Sequence, residues 1–310
     1  MANDSAHMKA IPFRLKEKVA IITGAGRGIG EAIALRFAAE GARVVLAART
    51  PAELDRVAAL VKETGGRALA VPTDVVDAGQ VSKLVERAVK ELGGVDILVN
   101  AAGVYGPIGP SWGVDAKKWL ESVNINLFGS FLLCQAVIPH MIRARGGSVI
   151  FFSGGGATAP LPRFSAYAVS KAGVVRLAET LAEELKEFNI RVHAIAPGLI
   201  DTKLQDEVLA AGDQAGGLYE RMRRTRETGQ GATPRELPAA LAAFLASEDS
   251  APLTGRLIAA PHDGWEKWDE QRIREIMSQA WFTLRRMDPF TLKPMLEQMR
   301  VKAEAKGNNE

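Results

Sequence analysis

The 310-residue chain has a single cysteine, Cys134. That excludes an intrachain disulfide and fits a reducing compartment, so a cytoplasmic location is expected. Cys134 closes an apolar run at residues 131–134, where a small buried hydrophobe is expected rather than a nucleophile. Charge of one sign is also scarce: 39 Lys and Arg against 36 Asp and Glu leave a net +3. An excess so small gives no reason to expect a nucleic-acid partner. The basic run Arg221, Arg223, Arg224 and Arg226 is flanked by Glu220 and Glu227 and reads as a solvated helix face. No run of 18 apolar residues is visible, so no membrane span is expected. The first ten residues lack the apolar stretch of a secretory signal. Repeats and low-complexity segments are missing, and no metal site is expected. What remains, 47% hydrophobic and 24% charged, is the composition of a soluble globular protein.

The pattern alternates. Short, nearly continuous apolar runs at 18–22, 43–47, 68–71, 95–99, 147–152, 191–196 and 253–260 read as strands buried on both faces. Between them, helical spacing is predicted over 31–40, 51–63, 77–92, 123–144, 166–188 and 234–246. Strands alternating with helices predict an α/β fold, a Rossmann-type doubly wound parallel sheet. No Pro/Gly-rich linker divides it. The expected organisation is a leader over 1–14, one dinucleotide-binding domain over 15–264, and a helical extension over 265–310.

The first strand runs into Thr23, Gly24, Ala25, Gly26, Arg27, Gly28, Ile29 and Gly30, which then opens a helix. Glycines in that context let the backbone approach a pyrophosphate, while the helix start offers free N–H groups and partial positive charge. At the end of the second strand an NAD site usually places an acid for the ribose 2′-hydroxyl. Here stand Ala48, Arg49 and Thr50. Arg27 and Arg49 can instead hold a 2′-phosphate, so NADP is expected, with NAD possible. Further along, Tyr167 and Lys171 are four apart on a predicted helix and share one face. An ammonium beside a phenol lowers its pKa, which would let Tyr167 exchange a proton with a carbonyl or alcohol oxygen.

These motifs, in this order, make residues 16–264 resemble the short-chain dehydrogenase/reductase (SDR) family. Its glycine turn matches Thr23, Gly24, Gly28 and Gly30. Its adenine-side acid matches Asp74, followed by Val75. Asn100, Ala101, Ala102 and Gly103 match its NNAG motif, with Ala for the second Asn. Asn126, the pair Tyr167 and Lys171, and the turn Pro197, Gly198 with Thr202 complete the set. The resemblance implies an NADP-dependent carbonyl reductase or alcohol dehydrogenase acting on a small-molecule carbonyl or alcohol. Tyr167 would be the acid/base, Lys171 would also hold the nicotinamide ribose, and Asn126 would support a water leading to Lys171. Thr202 would bind the carboxamide. Helices starting near Val123 and Ala166 would pair between subunits in a homodimer or homotetramer.

One departure is plain. The family's catalytic serine lies thirteen residues before the tyrosine, where this chain has Gly154. Ser153 is one residue early, and on a continuing strand it would face the opposite way. Ser153, Thr158 or a backbone N–H could polarise the substrate. Otherwise the chain is a cofactor-binding sensor or scaffold without turnover, or an epimerase or dehydratase on the same fold. The glycine-containing segment 201–232 reads as a mobile cover for the substrate. Tyr105 and Trp112 are expected to line the cleft. Past residue 264, Ile273, Ile276, Met277, Ala280, Trp281, Leu284 and Met287 predict a helix running up to Pro289, with a short second one over 293–306. That extension, with aromatic anchors Trp265, Trp268, Trp281 and Phe282, would cover the chain's own core, a partner subunit or the substrate mouth.

Overall fold

The computed structural model describes residues 13–286. Its strands are β1 (Val19–Thr23), β2 (Arg43–Ala48), β3 (Arg67–Pro72), β4 (Ile97–Asn100), β5 (Gly147–Phe152), β6 (Ile190–Ala196) and β7 (Arg256–Ala259). They form one parallel sheet in the order β3-β2-β1-β4-β5-β6-β7. The order reverses direction between β1 and β4, the place where doubly wound sheets open a crevice at the carboxyl ends of their strands. The helices are α1 (Gly28–Ala39), α2 (Pro51–Glu63), α3 (Ala78–Leu92), α4 (Ala116–Val123), α5 (Gly129–Ala144), α6 (Ser165–Glu184), α7 (Lys203–Ala211), α8 (Gly217–Thr228), α9 (Glu236–Ala246) and α10 (Glu270–Met277).

The continuous apolar runs are explained by cover on both faces. Along β1, Ala20 and Ile22 join a core with Phe37 of α1, Val57 of α2 and Leu241 of α9. Val19 and Ile21 point the other way, into a core with Leu84 of α3, Val137 of α5 and Val174 of α6. Burying a side chain of this size contributes about 1.5–3 kcal/mol, so neither layer is dispensable. A third, smaller cluster lies over the crevice and contains Tyr105, Phe164, Tyr167, Val208 and Met222.

Two expectations are corrected. The helix expected over 123–144 begins earlier: α4, a π-helical turn over Asn124–Phe128 and α5 form one helix over Ala116–Ala144, 29 residues long. It reaches a mean hydropathy of 1.5, so a segment apolar and long enough to cross a membrane does exist. Polar residues such as Asn126, Gln135 and His140 break it into short runs, so no unbroken apolar stretch marks it in the sequence. Nearly half of that window, 44%, is buried inside the fold, which accounts for its apolar character as a core helix. Segment 201–232, expected to cover the substrate, carries α7 and α8, with Met222 and Val208 buried.

Second, the helix expected to run up to Pro289 ends at Met277. Arg256 takes up the carbonyls that end it, with Nη2 donating to Ile276 O (3.2 Å) and Gln279 O (3.1 Å). The chain then reaches the sheet edge, where Leu257 N donates to Phe282 O at 2.7 Å. Glu179 of α6 fixes it there by accepting from Leu284 N at 2.6 Å. Trp265, Ile273 and Ile276 are buried in the core that also holds α1 and α9. Met287 and residues 293–306 lie outside the described residues, as does most of the leader.

Candidate active site

The glycine turn joins β1 to α1 as the sequence requires. A β-carbon on Gly30 would lie 2.2 Å from Gly24 O, a backbone atom that cannot give way, so α1 approaches β1 only with glycine there. Thr23 ties the turn to β4: its Oγ1 accepts from the N–H groups of Ala101 and Ala102, both at 3.1 Å. Arg56 of α2 braces the other side, with Nη2 donating to Gly26 O at 3.1 Å. Ile29 follows at the start of α1 and lines the cavity described below.

Beside the turn, the end of β2 carries the exposed Arg49, which has no ion pair or hydrogen bond to any described residue. Arg27 is also exposed but pairs with Glu53 Oε1 at 3.2 Å. Lys203 approaches the same oxygen at 3.7 Å. Glu53 is a carboxylate that the sequence reading missed, because it stands in the first turn of α2 rather than at the strand end. Asp74 follows β3; its Oδ1 accepts from Val76 N at 3.2 Å, and the neighbouring Val75 is buried against α5 at Gly129.

The β4 end leads to the chemistry. Asn100 is buried with its Oδ1 unpaired. A β-carbon on Gly103 would lie 3.1 Å from Asn126 Oδ1 and 3.4 Å from Lys171 Nζ, which places the three residues together. Asn126 sits in the π-helical turn, a distortion frequent at functional sites. Its amide is committed, accepting from Val104 N and donating to Val104 O and Ser170 Oγ, each at 2.9 Å. Across the crevice, Thr202 precedes α7, and its side chain makes no capping bond. Its methyl group would touch a β-carbon on Gly28 at 3.3 Å. Pro197 and Gly198 line the same space. An uncapped hydroxyl, an unpaired buried amide oxygen and a glycine cradle at the crevice fit a bound dinucleotide.

Tyr167 and Lys171 share the inner face of α6, as their spacing predicts, and both are buried. Lys171 Nζ donates to Phe152 O at 2.7 Å and lies 5.5 Å from the Tyr167 ring centroid. Burial pulls its pKa down to about 8. The expected lowering of the Tyr167 pKa is not met. Burial, and then the neighbouring Tyr105, push the phenol up instead. The physical reason is that burial penalises the charged phenolate, while the Lys171 ammonium donates to Phe152 O and lies 5.5 Å from the ring centroid. Tyr105 packs on Tyr167 at 4.6 Å between centroids and is itself pushed up to about 12, first by burial and then by Glu207.

Ser153 follows the last residue of β5, and its N–H still donates to Ile195 O of β6 at 2.8 Å. Ser153 is buried, its Oγ has no hydrogen-bond partner, and it lines a cavity of about 110 Å³ with Tyr167 and Lys171. Gly154 lies against the Tyr167 phenol itself. Thr158 is exposed and does not line the cavity, and Trp112, at 92% exposure, stands away from it. Leu199, Leu204, Gln205 and Met222 complete the wall; the sequence offered no periodic signal for them, because they come from α7, α8 and the turn before them. None of the described residues 265–286 lines the cavity, so the extension serves core and sheet edge. Cys134, buried, with its thiol pushed up to about 12 by burial, is the inert hydrophobe expected.

Comparison with known proteins agrees with this geometry. The profile of the short chain dehydrogenases matches residues 18–212. The human protein named dehydrogenase/reductase SDR family member 4 is 37% identical over 247 residues, covering 79% of this chain and 86% of its own. D-threitol dehydrogenase of Mycolicibacterium smegmatis is 37% identical over 243 residues, 78% of this chain and 91% of its own. Among solved structures, NAD+-bound xylitol dehydrogenase superposes with a TM-score of 0.74 at 28% identity, covering 79% of this chain and 98% of that one. A parallel sheet with its crevice at the β1/β4 reversal, a glycine turn beneath it and a Tyr/Lys pair above therefore have one common explanation: the chain belongs to the short-chain dehydrogenase/reductase family of oxidoreductases, which bind nicotinamide cofactors.

Proposed function

We propose that this chain is an NADP-dependent carbonyl reductase whose acid/base is Tyr167. The observation that carries the reading is the convergence of Tyr167, Lys171 and Ser153 on one cavity, which Gly198 and Thr202 also line. A nicotinamide bound there supplies or accepts the hydride. Gly24, Gly26, Gly28 and Gly30 hold the pyrophosphate side, and Asp74, Val75, Asn100 and Ala101 the adenosine side. Thr202 takes the carboxamide and Lys171 the ribose.

The proton steps follow from the chain's own groups. A phenol whose pKa is raised by burial is protonated at neutral pH, which suits donation to a carbonyl oxygen as it becomes an alcohol oxygen. Lys171, still mostly an ammonium at pH 7, adds positive potential beneath the ring. Ser153 supplies the second hydrogen bond to the reacting oxygen, taking over from the residue that Gly154 cannot provide. Asn126 holds the Val104 turn and Ser170 in place behind Lys171.

Preference for NADP rests on Arg49, an unpaired guanidinium at the β2 end, with Arg27 beside it. A 2′-phosphate would compete with Glu53 for Arg27, so Arg49 is the main determinant. The assembly is a homodimer or larger, formed through α5 and α6. There Leu120, Phe128, Phe131 and Val169 are exposed on helices α4 to α6 and their π-helical turn. A scaffold without turnover is the reading that Gly154 alone would favour, and the buried, free Ser153 hydroxyl weighs against it. The test is oxidation of NADPH and NADH against a panel of ketones, quinones, acyl thioesters and steroids. Cofactor binding with no oxidation on any of them overturns the reductase reading.

A further inference from the structure

The cavity holds a second unpartnered polar group that the reaction does not use. Gln205, in the first turn of α7, is 2% exposed, and its Nε2 has no hydrogen-bond partner. The residue is held in place from both directions: its backbone N–H donates to Thr202 O at 2.8 Å, and its side chain shares the cavity wall with Leu204 and Met222. A glutamine in a first helical turn ordinarily turns to solvent, where both ends of its amide are satisfied by water. Here Gln205 lines the cavity beside Leu204 and Met222, and its Nε2 is buried without a partner.

We propose that Gln205 is a substrate-recognition residue: its Nε2 donates to an oxygen of the substrate other than the one that reacts. The proposal rests on the reductase reading and narrows it. Tyr167 and Ser153 serve the reacting oxygen, so a further donor in the same cavity implies a further acceptor. Among the described residues no Asp, Glu or Arg lines the cavity, and its one cation, Lys171, is assigned to the nicotinamide ribose in that reading. Leu199, Ile200, Leu204 and Met222 provide a hydrocarbon surface. The substrate class is therefore an uncharged carbonyl compound on a hydrocarbon frame that carries a second oxygen, as a hydroxyl or another carbonyl. A plain hydrocarbon ketone would leave the amide buried and unpaired.

The experiment compares cyclohexanone with 2-hydroxycyclohexanone and 1,4-cyclohexanedione, three probes of one frame that differ in the second oxygen. Their binding to the NADPH-saturated full chain is measured by calorimetry, and their reduction by NADPH consumption. At least one oxygenated probe is expected to bind about 10- to 100-fold more tightly than cyclohexanone. In Gln205→Met that ratio falls to about one, while the NADPH dissociation constant, titrated without ketone, stays within about twofold. Should Gln205→Met not fold, Gln205→Glu keeps the shape, loses the amide donor and is expected to lose the same preference. Wild type without preference, or a variant that retains it, overturns the proposal. So does a variant that weakens NADPH itself, which would assign Gln205 to the cofactor. A Gln205-dependent binding preference with no NADPH consumed on any probe sinks the reductase reading instead, and leaves Gln205 as the recognition residue.

Discussion

A β-carbon on Gly154 would stand 2.1 Å from the Tyr167 phenol oxygen and 2.9 Å from Cζ. The tyrosine thus occupies the space in which a side chain at position 154 would begin. Glycine here is a condition of the tyrosine's position, not a simple loss of a serine. Restoring the family residue should therefore harm the enzyme. Gly154→Ser and Gly154→Ala both displace the phenol, and a shift of about 1 Å can cost about 100-fold in turnover. Steady-state kinetics of both variants check this. Turnover by Gly154→Ser at or above the wild-type rate would show that the serine place is open after all.

If Ser153 has taken over the second hydrogen bond, its removal should be felt in kcat and not in cofactor affinity. Ser153→Ala is expected to lower kcat about 100- to 1000-fold. Tyr167→Phe, which removes the proton donor, should abolish turnover while NADPH still binds. Fluorescence titration of NADPH alongside the rates separates the two quantities. An unchanged rate in either variant removes that residue from the chemistry.

The 2′-phosphate assignment has its own discriminating variant. Arg49 is exposed and unpaired, so Arg49→Ala breaks no internal contact. Loss of one charge-assisted hydrogen bond should weaken NADPH about tenfold and leave NADH nearly as it was. Equal losses for both cofactors would place Arg49 away from the ribose.

Lys171 provides a pH signature. Burial lowers its folded pKa to about 8 from the ordinary 10.5. Below pH 8 the lysine is charged in both states, and the folded state bears the desolvation cost. Between pH 8 and 10.5 the unfolded chain binds more protons than the folded one, so stability rises with pH in this window. Lys171→Met lacks that rise. Measured by urea unfolding, the wild type should gain about 3 kcal/mol on the variant from pH 8 to 10.5. A constant difference would mean that the lysine is not desolvated as the geometry indicates.

Much of this was legible in the chain itself. β5 and α2 fall where the apolar runs and Pro51 predict them, since a buried strand and a proline-started helix are local events. The four-residue spacing of Tyr167 and Lys171 put both on one helix face for the same reason. The tail was misjudged because helical spacing continued past Met277, whereas pairing with the β7 edge and the Arg256 guanidinium, both distant in sequence, stopped the helix there. Glu53 and Gln205 escaped notice because each enters the site from the first turn of a helix, where no period marks it.

The sequence by itself determined the sheet, the glycine turn and the placing of Tyr167 and Lys171 on one helix face, because each follows from repeating local patterns. Tertiary structure alone decided the state of that pair. It set a dry environment that raises the Tyr167 pKa rather than lowering it, and it turned Lys171 to a carbonyl. It set Ser153 at the cavity, and it filled the place of a serine with the tyrosine's own hydroxyl. Desolvation and steric exclusion depend on everything that surrounds a group, and no stretch of sequence contains that.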